Sequence, residues 1–269
     1  DVVLSDGWIR GVKEAFSDES VHLATGPNKP RYCDEIPEWL DQFWIDLNNG
    51  GKALYQLSLL DLGLEIKNIC PTLVWGLNFG IRKNTLLELG GFHPDGVAWE
   101  QRRFRGDGES GVAHKANLKK LKAVYHPKMA VGHIVPKSRL TMEYFEERAF
   151  LQGISDSYTD KRKSVGLYSP IQDEGRETSV HQLAQPKGFP HRLASKLRRL
   201  CIAFIKPLKN SKVPSTAIQE TPEIIKIAQM HKKGYDFHCQ QMQEDPTLVE
   251  WVLKPDYWDY SCPSAVFKN

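Results

Sequence analysis

The sequence contains little cysteine, and its spacing excludes two kinds of small scaffold. The chain has 269 residues and five cysteines, namely Cys33, Cys70, Cys201, Cys239 and Cys262. No two of them form a CxxC pair, so a zinc ribbon is not indicated. An odd number of scattered cysteines also argues against a disulfide framework. We therefore expect a reducing, cytoplasmic setting for this protein.

Long apolar runs and a strong excess of one charge are missing as well. No apolar run approaches the length of a membrane span, and no signal-peptide pattern is present. The net charge of +3 is the small difference between 36 basic and 33 acidic residues. Such a balance creates no extended positive field, so we expect no nucleic-acid partner. The length and the hydrophobic content of 41% are typical of a globular protein with one large or two modest domains.

Strand and helix patterns alternate through the first 153 residues. Apolar runs and period-two alternation predict strands at residues 1–4, 21–25, 73–81, 123–125 and 129–135. Helical spacing of apolar residues predicts helices at residues 8–16, 37–47, 84–89, 110–122 and 141–153. This alternation predicts an α/β layered fold.

The character of the sequence changes after residue 153. Residues 154–190 are polar and turn-rich, which predicts a loop or linker. Residues 191–269 are predicted to form a helical C-terminal extension with a break near Asp245 and Pro246. Within it, residues 192–205 form a basic amphipathic pattern, which either packs on the core, the commoner case, or lies on an anionic membrane surface.

The segment 105–111 combines two acids with three glycines, and it is the strongest candidate for chemistry. Asp107 and Glu109 lie two positions apart, and the glycines permit tight turns and a close approach to the backbone. Asp107 is also a possible N-cap of the helix that follows, with Glu109 favouring the helix dipole. The sequence around these acids leaves capping and catalysis as alternatives.

Several short motifs, in order, resemble the second half of a family-2 glycosyltransferase of the GT-A type. They are Asp1-Val2-Val3-Leu4, Pro37-Glu38-Trp39-Leu40, the run from Trp75 to Arg82, Gly90-Gly91-Phe92-His93-Pro94-Asp95, Gly106-Asp107-Gly108-Glu109, and Tyr125-His126-Pro127 leading to His133. The resemblance covers residues 1–153. It implies a GT-A-like mixed sheet flanked by helices, with the preceding nucleotide-binding half absent from this chain.

The resemblance also implies a metal-dependent site. Asp1 matches the last acid of the family's DxD motif, which holds Mn²⁺ or Mg²⁺ on the donor diphosphate, and His133 matches a histidine that contributes to that site. Asp107 matches the family's catalytic base. Here Gly106 replaces the acid that usually precedes the base, and Glu109 follows it. We therefore expect Asp107 to be the base, with Glu109 beside it as a neighbour whose role stays open.

Four further residues complete the expected site. Lys137 and Arg139 follow His133 and are expected to meet diphosphate oxygens, Arg139 through a bidentate fork. Trp75 and Asn78 are expected on the acceptor side, with Trp75 able to stack on a sugar face. Both arginine and lysine occur as ordinary surface charges, and large aromatics are more often core residues.

These features together predict an inverting glycosyltransferase of glycan, polysaccharide or glycolipid biosynthesis. It would move a sugar from a nucleotide-diphosphate sugar to a glycan, lipid-linked or other hydroxyl acceptor. The expected location is the cytoplasm, with peripheral contact at the inner face of the membrane through residues 192–205. The alternatives are a non-catalytic, truncated module that binds sugar or a membrane surface, and a glycoside hydrolase using Asp107 and Glu109.

Overall fold

The computed structural model describes residues 1–47, 50–168 and 221–258. Ten short strands form two mixed sheets within residues 2–135, which confirms the α/β class. The strands are β1 (Val2–Leu4), β2 (Val21–Thr25), β3 (Asn28–Tyr32), β4 (Ile45–Asp46), β5 (Lys52–Leu54), β6 (Leu59–Asp61), β7 (Lys67–Ile69), β8 (Gly80–Ile81), β9 (Lys122–Tyr125) and β10 (Val131–Val135).

The larger sheet has the strand order β1-β10-β3-β6-β5-β4, and the smaller sheet has the order β7-β9-β2-β8. Each sheet contains one parallel pair, β10 with β3 and β2 with β9, and its other pairs are antiparallel. The strand predicted at residues 1–4 is confirmed as β1, which lies at a sheet edge with its three residues exposed. Strands β3 to β7 were not predicted, because none of them shows a sustained apolar alternation.

Six helices accompany the sheets in the described part of the chain. They are α1 (Trp8–Ala15), α2 (Lys83–Glu88), α3 (Gly108–Leu118), α4 (Met142–Ser164), α5 (Pro222–Glu244) and α6 (Pro246–Val252). The predicted break between the last two helices is confirmed, since Asp245 ends α5 and its side chain accepts from the Thr247 amide to cap α6. None of the helices in the described ranges is both long and apolar enough to cross a membrane.

Three predicted elements differ in the structure. The helix expected at residues 37–47 is only a 3-10 turn, Glu38–Phe43. The strand expected at residues 73–81 is wrong, because the chain makes two 3-10 turns, Pro71–Leu73 and Gly76–Asn78, before the two residues of β8. Residues 154–164, which were expected to belong to a linker, are helical, since α4 continues to Ser164. Residues 169–220, which include the basic pattern 192–205, lie outside the described residues.

Helices α4 and α5 pack against each other in the same direction. Asp156 bonds to His231, and one turn further along both helices Asp160 accepts from the Tyr235 hydroxyl. The helices come close enough for backbone contact at two glycines. A Cβ atom on Gly153 would overlap the His231 carbonyl, and one on Gly234 would overlap the Phe150 carbonyl. The pair therefore depends on both glycines and anchors the C-terminal helices to the rest of the fold.

We expect the stability of this helix pair to fall with acid because of His238. Its side chain is fully buried, its Nδ1 lies 2.9 Å from Ser157 Oγ, and burial lowers its pKa to about 4. When the pH falls from 7 to 5, His238 is protonated in the unfolded chain but not in the folded chain. The free energy of unfolding therefore decreases by about 2 kcal/mol over this range. Denaturant melts of the wild type and of His238→Gln at both pH values test this. A His238→Gln protein with the wild-type pH slope would contradict the assignment.

Candidate functional site

Asp107 lies at the N-terminus of α3, but its side chain does not cap the helix. The residue occupies the predicted N-cap position, but its side chain makes no hydrogen bond to the first turn. Instead, Oδ1 lies 2.7 Å from His93 Nδ1, and Oδ2 accepts from the Thr159 hydroxyl at 2.9 Å. Asp107 is only 7% exposed. Its carboxylate therefore belongs to the protein interior.

The two buried partners have complementary protonation states. Burial lowers the pKa of His93 below its ordinary value, so the ring is neutral near pH 7. Burial raises the pKa of Asp107, whereas the hydrogen bond from His93 and the other polar neighbours lower it. The lowering is the larger effect, so the pKa of Asp107 lies below its ordinary value. Nδ1–H of His93 therefore donates to an ionised carboxylate, and this fixes the tautomer of the ring.

Aromatic residues from the C-terminal part of the chain enclose this pair. The Tyr168 hydroxyl lies 3.1 Å from His93 Nδ1, and the Tyr158 hydroxyl lies 2.6 Å from that of Tyr257. Burial raises the pKa of Tyr257 to about 12 and those of the other two tyrosines further. The guanidinium of Arg162 stacks on Tyr168 and donates to the carbonyls of Val252 and Lys254. The end of α4 and the segment after α6 thus close over Asp107.

We expect Asp107→Asn to destabilise the protein strongly. The substitution keeps the shape of the side chain but removes the charge that the His93 N–H and the Thr159 hydroxyl stabilise. Loss of these charge-assisted bonds in a buried site costs about 2–4 kcal/mol. A thermal or denaturant melt measures the loss. Asp95→Asn, which changes a half-exposed carboxylate nearby, is the matched control, and equal stability of both variants would contradict the buried role.

Glu109, in contrast, reaches the surface. It is half-buried, and its Oε1 accepts from the backbone amide of Gly76 at 3.0 Å. A Cβ atom on Gly76 would lie 2.8 Å from the Glu109 carboxyl carbon, so only glycine allows this approach. Glu109 Oε2 makes no hydrogen bond to a residue that the structure describes. Of the two predicted acids, Glu109 is the one that a substrate can reach.

The two residues predicted for the acceptor side have different surroundings. Trp75 is half-buried, donates through Nε1 to the Thr72 carbonyl at 3.1 Å, and packs on Tyr55 at 4.9 Å between ring centroids. Asn78 is buried. Its side-chain Nδ2 donates to the Met129 carbonyl at 2.7 Å, and its Oδ1 accepts from the Trp8 indole at 3.1 Å. Asn78 therefore holds the turn in place, whereas Trp75 is partly exposed and directly precedes Gly76, whose amide binds Glu109.

The predicted metal and diphosphate residues meet where β1 pairs with β10. His133 donates from Nδ1 to the Leu57 carbonyl at 2.8 Å, and its Nε2 lies 2.8 Å from Arg139 Nη1. Arg139 Nη2 lies 3.5 Å from the Asp1 carboxylate. Lys137 is exposed and pairs with Asp34 at 3.4 Å, away from these contacts. The structure thus brings together three of the four residues, and we call Asp1, His133 and Arg139 the basic cluster.

The basic cluster fits a divalent cation by its donor types. Burial lowers the pKa of His133, so the imidazole is neutral, and its Nδ1–H bond to a carbonyl leaves the Nε2 lone pair for a ligand. With the Asp1 carboxylate this gives two protein donors, which suits Mg²⁺ or Mn²⁺ when diphosphate oxygens supply others. Within the described ranges no group of three or more His, Cys, Asp or Glu side chains could hold a metal. Arg139 now contacts both donors, so it would have to turn away.

One 3-10 turn, Tyr55–Leu57, connects the basic cluster to Glu109. The Leu57 carbonyl accepts from His133, the Tyr55 ring packs on Trp75, and the amide of the next residue, Gly76, binds Glu109. A continuous chain of contacts therefore runs from Arg139 and His133 to the accessible Glu109 carboxylate.

Sequence reasoning missed most of the residues around Asp107. His93 belonged to the motif at residues 90–95 but was given no role, and Thr159, Arg162 and Tyr168 fell in the predicted linker. A helical repeat was present there, because Ile154, Tyr158 and Arg162 recur at four-residue spacing and all are buried. The polar composition of residues 154–168 concealed it.

The chain was compared with protein-family models, curated protein sequences and solved structures. No family model, curated protein or solved structure matches it.

Proposed function

We propose that this protein is an inverting glycosyltransferase of the GT-A type, which moves a sugar from a nucleotide-diphosphate sugar to a hydroxyl acceptor. One observation supports the proposal most strongly. A chain of contacts through Tyr55–Leu57 and Trp75 connects the basic cluster with the accessible Glu109 carboxylate. A transferase needs positive charge for the leaving diphosphate and a base for the acceptor hydroxyl, and Arg139 and Glu109 are the residue types that supply them.

On the acceptor side, Glu109 is the base that we propose. Its Oε2 makes no hydrogen bond to a residue that the structure describes, and the Gly76 amide fixes its orientation through Oε1. One carboxylate that removes the acceptor proton, with attack opposite the leaving group, gives inversion in a single displacement. Asp107 anchors the first turn of α3 from the interior, so its role is to position Glu109 rather than to contact substrate.

On the donor side, Arg139 supplies a guanidinium that can bind phosphate oxygens as a fork. His133 and Asp1 orient Arg139 through the contacts at 2.8 Å and 3.5 Å. A divalent cation held by Asp1 and His133 would neutralise charge on the leaving diphosphate, and Arg139 would then turn away from both residues. The proposal names no particular nucleotide or sugar, because one fold can carry different substrate-binding loops.

A donor screen tests the proposal. Nucleotide-diphosphate sugars are supplied one at a time with simple glycosides as acceptors, and release of nucleotide diphosphate is measured with Mn²⁺, with Mg²⁺ and with chelator. We expect acceptor-dependent release with at least one donor, and we expect the metal to stimulate it. Release that does not depend on the acceptor, or none with any donor, would contradict the transferase.

The structure does not favour the glycoside hydrolase. Such enzymes place two carboxyl groups across the scissile bond, about 5–9.5 Å apart, and both must reach the substrate. Asp107 is 7% exposed and both its oxygens are bonded to protein groups, which leaves Glu109 alone at the surface. The membrane-surface module rests on residues 192–205, which lie outside the described residues, and peripheral contact at the inner membrane face from the cytoplasm stays a prediction.

A further inference from the structure

A surface cluster of three aromatic rings and one arginine precedes the acidic segment in the chain, and the proposed chemistry does not use it. Trp99 begins the 3-10 turn Trp99–Phe104. The Phe150 ring on α4 has its centroid 5.8 Å from that of Trp99 and 5.8 Å from that of Phe237 on α5. The guanidinium carbon of Arg102 lies 4.5 Å from the Trp99 centroid and 5.1 Å from the Phe237 centroid. We call Trp99, Arg102, Phe150 and Phe237 the aromatic platform.

Trp99 is the part of the aromatic platform that a ligand can reach. The residue is 49% exposed, whereas tryptophan is highly buried on average in folded proteins. The other three members of the platform are half-buried. The Arg102 guanidinium stacks on one face of the indole, and about half of the residue is still open to solvent.

Arg102 brings hydrogen-bond donors to the same place. Its Nη1 donates to the Trp99 carbonyl at 2.7 Å, while its Nε is buried without an acceptor. Among the residues that the structure describes, no acid forms an ion pair with Arg102. Unbonded guanidinium N–H groups that are partly removed from water destabilise the folded state. A ligand that brings oxygen atoms to this guanidinium is therefore favoured.

The turn of the aromatic platform is fixed at its far end. The indole nitrogen of Trp251 donates to the Phe104 carbonyl at 2.9 Å, and the two rings pack edge to face with centroids 5.6 Å apart. The next residue back along the turn, Arg103, lies 3.4 Å from the Asp245 carboxylate. A surface held in this way loses little conformational entropy when a ligand binds.

Helix α4 connects the aromatic platform to the acidic segment. Phe150 on this helix contacts Trp99, and further along the same helix the Ser155 hydroxyl donates to the Gly106 carbonyl at 2.8 Å. The helix rises about 7.5 Å between Phe150 and Ser155. With the side chains included, Trp99 therefore lies on the order of 20 Å from Gly106, which closely precedes Glu109 in the chain. A glycan of several sugar units is long enough to span this separation.

We propose that the aromatic platform binds a distal sugar ring of a glycan acceptor. The inference rests on the proposed transferase function and selects glycans among its hydroxyl acceptors. A pyranose ring has an apolar C–H face and a rim of hydroxyl oxygens. The C–H face packs on the exposed indole of Trp99, and the hydroxyl oxygens accept from the Arg102 guanidinium. One exposed ring suits one sugar unit, whereas a stable protein partner buries a much larger surface.

The test measures binding by NMR of the full chain with ¹⁵N-labelled tryptophan, so it does not require turnover. The chain has seven tryptophans, and the indole N–H resonance of Trp99 is the one that is lost in Trp99→Leu. Maltopentaose, cellopentaose and the acyclic polyol sorbitol are titrated separately. We expect at least one pentasaccharide to shift the Trp99 resonance. Sorbitol should not shift it, because it has hydroxyl groups but no rigid C–H face.

Three variants show whether the aromatic platform carries this binding. In Trp99→Leu, which keeps an apolar side chain next to Phe150, the affinity for the pentasaccharide falls about tenfold or more. Arg102→Gln weakens binding as well, because the guanidinium donors are lost. Trp44→Leu is the matched control, since Lys52 stacks on the Trp44 ring at 4.8 Å from its centroid, outside the platform. It should bind the pentasaccharide as the wild type does.

Equal affinity of the pentasaccharide for the wild type and Trp99→Leu would overturn the proposal, and thermal melts establish that both proteins are folded. Arg102→Gln replaces Trp99→Leu if the latter does not fold, and unchanged affinity there overturns the proposal too. A Trp99 resonance that no pentasaccharide shifts, or that shifts only with protein concentration, would also overturn it, and the second result would assign the platform to a second copy of the chain. Pentasaccharide binding at Trp99 without release of nucleotide diphosphate from any donor would contradict the proposed function alone.

Discussion

Glu109→Gln lowers the turnover rate by about a hundredfold or more, which is the contribution expected of a general base. The amide oxygen of glutamine still accepts from the Gly76 amide, so the local backbone and the affinity for substrates change little. Only the ability to take a proton is lost. Steady-state kinetics with the donor identified in the screen measure this as a fall in kcat with a nearly constant KM.

Two other variants show whether the effect is specific. Glu100→Gln removes an exposed carboxylate from the 3-10 turn Trp99–Phe104, close in sequence to Glu109, and it should leave kcat unchanged. Asp107→Asn should lose activity in parallel with stability and recover it at lower temperature, where the fold is retained. If Glu109→Gln turns over normally while folded Asp107→Asn is inactive, the base is Asp107 and the assignment to Glu109 fails.

Gly234→Ala lowers the free energy of unfolding by about 2 kcal/mol, because the added methyl group overlaps the Phe150 carbonyl in the α4–α5 contact. Alanine gains about 1 kcal/mol of helix propensity over glycine, and this offsets only part of the overlap. For a protein of this size the midpoint of thermal unfolding falls by roughly 4–8 °C. Activity falls as well, since α4 carries Thr159, which bonds to Asp107.

Gly96→Ala is the matched control for this prediction. Gly96 lies in a loop, has no atom within 4 Å of the position of an added Cβ, and does not need a positive φ. The midpoint of thermal unfolding of Gly96→Ala should therefore equal that of the wild type. A Gly234→Ala protein that is as stable as Gly96→Ala would show that the two helices are not in backbone contact.

The sequence predicted those features of the site that depend on neighbouring residues in the chain. Gly108 and the acids around it indicated a helix start, and α3 begins there. Which acid is buried could not be predicted, because burial of Asp107 depends on Thr159, Tyr168 and other residues far along the chain. Helix geometry alone places both acids in the first turn.

The failed strand at residues 73–81 has a similar cause. Its apolar alternation is real, but the backbone turns at Gly76 because Glu109 binds the amide there and Asn78 bonds to Met129. These contacts join residues that are more than thirty positions apart, as their separations of 33 and 51 show. A local pattern carries no information about such partners.

The stereochemistry of transfer tests the central claim most directly. The purified protein is incubated with its donor and acceptor, and ¹H NMR of the new glycoside, recorded early in the reaction, gives the configuration of the anomeric carbon. We predict a glycoside whose anomeric configuration is opposite to that of the donor, formed at a rate that falls with Glu109→Gln. A retained configuration, or free sugar in place of a glycoside, would contradict the account.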